Sequence, residues 1–364
     1  MKIICNKNDL LKGVNIALKA VPVRTTMSIL ECILIDASEG EIKLIANDME
    51  LGIETKIDGE IIEPGRIAIN AKFFAEYVRK LPDNEVTVET DNNYNVTIVC
   101  ESTVLKKPGR SGEDFSYLPY IEKESSITVS QFTLKEIIRQ TIFSIGDNES
   151  NKIMTGELFE VKDNILKVVS LDRYRVSIRN VELSSNYNPI SVIVPGKTLG
   201  EISKILSGET DKEVEVFFST NHIVFEFENT VVVSRLIDGE YFKINQMLSK
   251  EHSTKITVNT RELVNCLDRA MLLIRDGNKK PVILDIKDGR MNISIVCMED
   301  FNQDIEVEKE GQDIKIGFDP KFLIDALRVI DDENVSLYFM NSKAPCTIKD
   351  EDESYIYLIL PVNY

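Results

Sequence analysis

The stretch RIAINAKFFAEYVRK, residues 66–80, decides the fold. Ile67 and Ile69 alternate with their neighbours at the period of a strand that buries one face. Asn70 follows, and its side chain is of the kind that accepts hydrogen bonds from the free N–H groups of a helix's first turn. Phe74 and Val78 fall four and eight residues beyond that cap, on one stripe of an amphipathic helix. Strand, cap and helix are thus written into one short run.

The run recurs six times. The caps are Asn6, Asn70, Ser130, Pro195, Asn259 and Asp319, spaced by 64, 60, 65, 64 and 60 residues. Four residues beyond them stand Leu10, Phe74, Leu134, Leu199, Leu263 and Leu323. Apolar residues precede each cap by three and one: Ile3/Cys5, Ile67/Ile69, Ile127/Val129, Val192/Val194, Ile256/Val258 and Ile316/Phe318. At cap+8 the stripe continues through Val14, Val78, Ile138, Leu267 and Leu327, and Ser203 breaks it. Pro195 has no side-chain acceptor and is the exception among the caps. Strand-like runs follow the helices, such as EVTVET and YNVTIVCE, EVEVFF and HIVFEF, or NVSLYF and YIYLIL. Each unit therefore reads strand, helix, strands. Pairing the units predicts an α+β chain of three structurally repeated domains, 1–122, 126–248 and 254–364, with polar seams at IEKESS (121–126) and SKEHST (249–254).

Composition bounds the rest. A chain of 364 residues is long for one core, and 43% hydrophobic with 28% charged residues is ordinary for a globular protein. No apolar run approaches the roughly 20 residues that span a bilayer, and MKIICNKNDLLKG lacks the apolar core of a secretory signal. The six cysteines, Cys5, Cys32, Cys100, Cys266, Cys297 and Cys346, are scattered without a CxxC pair, which reads as reduced core thiols in a cytoplasmic protein.

The formal charge of −17 argues at first against a nucleic-acid partner, since phosphates need a positive field. Its distribution reverses that reading. Positions cap+2 and cap+9 share one helix face, away from the buried stripe. Cap+2 holds Lys72, Lys197, Arg261 and Lys321, with Asn8 and Phe132 in the other units. Cap+9 holds Arg79, Arg139, Lys204 and Arg328, with Asn15 and Asp268 elsewhere. Eight of twelve slots are basic in a chain where 60 acids outnumber 43 bases. Lys and Arg decorate many solvated helix faces, but Glu is as good a helix former, so propensity alone does not exclude acids here. A shared surface that contacts phosphates without reading sequence is the favoured reading.

Catalytic chemistry finds no support. His222 falls in an expected hairpin turn and His252 in a seam, neither with a metal-ligand or triad context. No phosphate-cradling GxxxxGK[ST] or GxGxxG run occurs. The clusters Asp331-Asp332-Glu333 and Asp350-Glu351-Asp352-Glu353 sit in expected turns and read as solvation rather than a two-metal site. The absence of Trp and the scattered aromatics argue against stacking on single strands. No catalytic residue, metal or cofactor is expected.

The segments RTTMSIL (24–30), INAKFF (69–74), GELFEV (156–161), VVSLDRYRVSI (168–178), VIVPGKTLGEI (192–202), SRLIDGEYF (234–242) and YLILPVNY (357–364) together resemble the bacterial DNA polymerase III beta sliding clamps across the whole chain. The resemblance implies three DNA-clamp domains, with helices lining a central hole, sheets outside, and a head-to-tail homodimer that closes a ring. It implies a processivity factor that encircles double-stranded DNA without sequence preference. The replicative polymerase, clamp loader and repair proteins are its implied partners, with no membrane association and a cytoplasmic, nucleoid-associated location.

Residue roles follow from the same resemblance. Arg24, Lys72 and Lys197 match DNA-contacting positions, and Asn148, Lys279 and Lys280 lie in loops that approach DNA in relatives. The helix stripe adds Arg79, Arg139, Lys204, Arg261 and Lys321. A pocket for short linear motifs rich in Gln, Leu and Phe is implied at Met154, Leu171, Arg175, Val176, Tyr241, Phe242 and Met247. Phe322, Pro345, Leu358, Leu360, Pro361 and Val362 complete it. Read without the resemblance, Leu358 and Leu360 are better placed in a closing core strand. Leu272 and Leu273 match an apolar subunit interface, facing an edge strand around Val104 and Leu105. Phe242 stands where relatives often carry Pro, SLDRYRV replaces a Thr-Asp-Gly-His-Arg-Leu pattern, and the loop Lys106-Lys107-Pro108-Gly109-Arg110 is unusually basic. The alternative is an acidic repeat scaffold that binds only proteins. The segregated basic stripe discriminates against it, because such a scaffold has no use for one.

Overall fold

A computed structural model describes residues 1–147, 151–248, 251–274, 280–295 and 301–364. It forms two compact units, Met1–Leu134 with Lys197–Leu236, and Lys135–Gly196 with Ile237–Tyr364.

Each repeated run folds as its pattern dictates. The six helices are α1 (Lys7–Ala17), α2 (Ala71–Lys80), α3 (Gln131–Thr141), α4 (Gly196–Ile205), α5 (Thr260–Met271) and α6 (Pro320–Leu327), each beginning one residue after its cap. Asn6, Asn70, Ser130, Asn259 and Asp319 accept first-turn N–H groups from Asn8, Phe73, Thr133, Glu262 and Lys321 at 2.8–3.1 Å. The six cap+4 residues are all buried, as are the five apolar cap+8 residues. In α4, Ile202 takes over the buried stripe where Ser203 interrupts it. Before the caps, every alternating apolar residue is buried except Val192, which is half-buried.

In the first unit, nine strands form one antiparallel sheet in the order Arg110–Ser111, Arg66–Asn70, Cys32–Asp36, Ile42–Asn47, Leu51–Ile57, Thr230–Arg235, His222–Phe227, Glu213–Phe218, Ser125–Ser130. Leu51–Ile57 pairs with Thr230–Arg235, so segments about 180 residues apart in sequence share one ladder. A second sheet of five strands ends on the edge strand Thr103–Pro108. Helices α1 and α2 pack on each other within this unit.

The second unit repeats the plan. Seven strands run Gly156–Leu171, Arg175–Pro195, Tyr355–Ile359, Cys346–Lys349, Asn334–Phe339, Thr254–Asn259, Glu308–Gly311, and a four-stranded sheet ends on Phe301–Glu306. Helices α5 and α6 pack together over a core that includes Leu263, Leu267, Leu323 and Leu327. Among the described residues the five cysteines, Cys5, Cys32, Cys100, Cys266 and Cys346, are free and buried; Cys297 lies outside them.

The structure revises two local expectations. His222 opens a strand rather than occupying the turn before it, because the turn is spent on residues 219–221. Asp331 and Asp332 do more than solvate a turn: Asp331 pairs with Arg139 at 2.9 Å, and Asp332 accepts the Tyr355 hydroxyl at 2.9 Å.

Glu157 is fully buried in the second unit, facing Thr141 at 3.1 Å. The Thr141 hydroxyl proton is committed to the Ile137 carbonyl at 2.7 Å, so a protonated Glu157 would donate to Thr141 Oγ1. Burial pushes its carboxyl up to about 8. The folded state thus holds one more proton than the unfolded chain between the ordinary carboxylate range and about pH 8. Stability is full below that window and falls as pH rises through it, by about 1.4 kcal/mol per pH unit. Urea midpoints measured from pH 5 to pH 9 are expected to decline, and Glu157→Gln to flatten the decline.

Candidate nucleic-acid interface and peptide cleft

The helix stripe divides into free and paired cations. Lys72 and Arg79 on α2, Arg261 on α5 and Lys321 on α6 are exposed, and among the described residues their side chains have no ion pair or hydrogen bond. Arg24 is likewise exposed in a loop. The other members carry carboxylates. Arg139 binds Glu136 at 2.6 Å and Asp331 at 2.9 Å, Lys204 binds Glu201 at 2.7 Å, and Arg328 binds Asp268 at 2.8 Å. Lys197 pairs with Asp48. Arg328 and Asp268 are both cap+9 residues, so the acidic slot of the stripe neutralises its neighbour. Lys280 is half-buried, and Asn148 and Lys279 lie outside the described residues.

Part of the expected cleft set lies together in the second unit. Leu171 pairs with Val176 and Val176 with Leu358, which puts the three on one sheet face. Tyr241 joins them in one apolar cluster, with Met154 and Phe242 packed against it. The Tyr241 hydroxyl donates to the Val169 carbonyl at 3.1 Å, fixing the ring against the strand. Leu358 also lines a cavity of about 100 Å³ with Met247, Pro345, Tyr338 and Thr347. Leu358 is 5% exposed and lies within the last strand, while Leu360 is 37% exposed beyond it. A core strand therefore ends as one wall of an open surface. Its last residues are held in place: Leu360 N–H donates to the Tyr174 carbonyl at 2.8 Å, and Val362 N–H to the Gly317 carbonyl at 2.9 Å. Pro361 sits between them, half-buried.

Alternation sends Arg175 to the opposite face from Val176. There its guanidinium lies 4.6 Å from the Phe322 ring centroid and 5.5 Å from that of Phe143. It bonds to Asp172 at 3.1 Å and Asp325 at 2.7 Å, and donates to the Phe143 carbonyl. Tyr174, half-exposed, stacks on Phe322 with centroids 5.8 Å apart. Arg175 thus ties the turn 172–174 to α6. The sequence reading did not single out Asp325 or Phe143. Asp325 stands three residues after Phe322 on α6, the spacing that places both on one helix face.

The two surfaces expected to form a subunit interface are exposed in the single chain. Leu272 is 81% exposed just past α5, with Leu273 half-buried beside it. Val104 is 60% exposed, with Leu105 half-buried next to it, on the edge strand of the five-stranded sheet.

Models of the N-terminal, central and C-terminal domains of the DNA polymerase III beta subunit match residues 1–119, 128–243 and 245–363. The chain belongs to the DNA polymerase III beta-subunit family. A beta sliding clamp of Halalkalibacterium halodurans is 31% identical over the whole of both chains. One of Staphylococcus epidermidis is 30% identical, covering 100% of this chain and 99% of that one. Among solved structures, a DNA polymerase III beta subunit of Eubacterium rectale is 62% identical, covers both chains fully and superposes with a TM-score of 0.97. The sliding clamp of Bacillus subtilis is 32% identical with a TM-score of 0.96, covering 100% of this chain and 99% of that one. The family accounts for the sixfold repeat, because its fold is three α+β clamp domains.

Proposed function

We propose that two copies of this chain close head to tail into a ring around duplex DNA, each contributing three domains, 1–122, 126–248 and 254–364. The ring tethers the replicative polymerase, and the clamp loader and repair proteins use the same apolar cleft through short linear motifs. It acts in the cytoplasm, on the nucleoid, and performs no chemistry itself. One observation carries the reading: in a chain of net charge −17, Lys72, Arg79, Arg261 and Lys321 stand exposed and unpaired among the described residues, at equivalent positions of repeated helices. Enclosure makes strong intrinsic affinity unnecessary, since such contacts only position a duplex held by topology. The exposed Leu272 and Val104 supply the apolar halves of a heterologous contact that closes on itself. An enclosing ring is expected to stay on a nicked circular DNA after loading and to leave once that circle is linearised. Equal retention on both forms would reject enclosure.

A further inference from the structure

The first unit contains a second cleft built on the backbone plan of the first. Where Asp172 opens a turn by accepting the N–H groups of Tyr174 at 2.7 Å and Arg175 at 3.0 Å, Asp48 does the same for Glu50 at 3.0 Å and Leu51 at 2.7 Å. Where Val176 faces Leu358 across the ladder, Gly52 faces Val233. Where Leu360 N–H donates to the Tyr174 carbonyl at 2.8 Å, Arg235 N–H donates to the Glu50 carbonyl at 2.9 Å. Turn, register and closing hydrogen bond all recur, so the two sites share a scaffold and differ in side chains.

At this second place the structure holds a cavity of about 250 Å³. A dry cavity of about 150 Å³ already accepts benzene in another protein, so a Leu or Phe side chain fits this one. Its apolar walls include Met49, Leu51, Leu118, Pro119 and Val233. Gly52 leaves room for the Leu118 side chain, since a Cβ there would lie 2.0 Å from Leu118 Cδ2 and force that side chain to move.

Asn47, one of the lining residues, is itself held rigidly. Asn47 is 5% exposed, and its Nδ2 donates to the Ser116 carbonyl at 2.6 Å. That bond fixes which end of the amide is oxygen, and Oδ1 has no partner among the described residues. Glu50 is the one carboxylate of the lining, and no Lys or Arg is present there, which favours a neutral apolar group over an anion.

We propose that this cleft is a second docking site for short linear peptides, taking one Leu- or Phe-sized side chain into the cavity. The proposal rests on the reading of the first cleft as a peptide site and extends it: each chain holds two quasi-equivalent sites, and one partner can engage both. Because Leu118 already lies over Gly52, the second site is expected to be the weaker.

The test titrates a fluorescein-labelled peptide containing Gln, Leu and Phe into the full-length chain. Wild type is expected to show two phases. Leu360→Asp, at the rim of the first cleft, is expected to remove the stronger phase and keep the weaker. Gly52→Ala, which displaces the Leu118 side chain that walls the cavity, is expected to weaken the second phase at least about tenfold. Met49→Lys alters a residue that is 62% exposed, so the fold is unaffected, and it is expected to act on the same phase. A single wild-type phase abolished by Leu360→Asp overturns the second site and leaves the first standing. A weak phase untouched by both Gly52→Ala and Met49→Lys also overturns it. Loss of the weak phase in those variants, with a strong phase indifferent to Leu360→Asp, upholds the second site and rejects the reading of the first.

Discussion

Reversing Lys72, Arg79, Arg261 and Lys321 to glutamate is expected to strip the chain of most of its salt-dependent attraction for duplex DNA while leaving the fold intact. These side chains are exposed and, among the described residues, unpaired, so each is available to a phosphate. The dependence of log affinity on log salt is expected to flatten by roughly 0.9 per lost contact, about 3 to 4 for the set. Substitution at such solvated positions costs within about 0.5 kcal/mol each in stability. The internal control is the paired set. Arg139, Lys204 and Arg328 already hold Glu136, Glu201 and Asp268, and their reversal is expected to change the slope less. Fluorescence anisotropy on a short duplex between about 50 and 200 mM salt measures both. Equal effects from the two sets would remove the basis for a phosphate-facing stripe.

Arg175→Ala is expected to be the most damaging single change at the proposed peptide cleft, although its side chain points away from the apolar face. The residue is 8% exposed and joins Asp172, Asp325, Phe143 and Phe322 at once. Removing it leaves two partly buried carboxylates without their cation, a loss of about 3 kcal/mol. It also frees the turn 172–174, whose Tyr174 carbonyl anchors Leu360. Motif binding is expected to weaken at least about tenfold, together with a lower urea midpoint. Arg175→Lys is expected to restore little, because an ammonium cannot span two carboxylates and stack on Phe322 as a planar guanidinium does. Wild-type stability and affinity in the alanine variant would show that the ion cluster is incidental.

Local signals made the repeat legible. Caps, alternation and helical stripes act within a few residues of one another, so Asn6, Asn70, Ser130, Asn259 and Asp319 announced their helices directly. Pro195 is instructive, since its helix formed without a side-chain cap; strand and stripe were enough. The cleft was legible only through resemblance. Nothing in residues 168–178 or 355–362 tells that Val176 and Leu358 face each other, because that depends on a ladder between segments about 180 residues apart. Asp325 went unnoticed for the same reason.

The sequence alone determined six strand–helix units, their registers and the placement of cations at cap+2 and cap+9, because periodicity and capping are short-range physics. Only the tertiary structure decided which cations stay unpaired, since Asp331, Asp268 and Asp48 reach Arg139, Arg328 and Lys197 from distant segments. It alone also decided that Arg175 supports the cleft from behind, and that Gly52 and Asn47 bound a second cavity. Such pairings are set by through-space packing, which no window of sequence encodes.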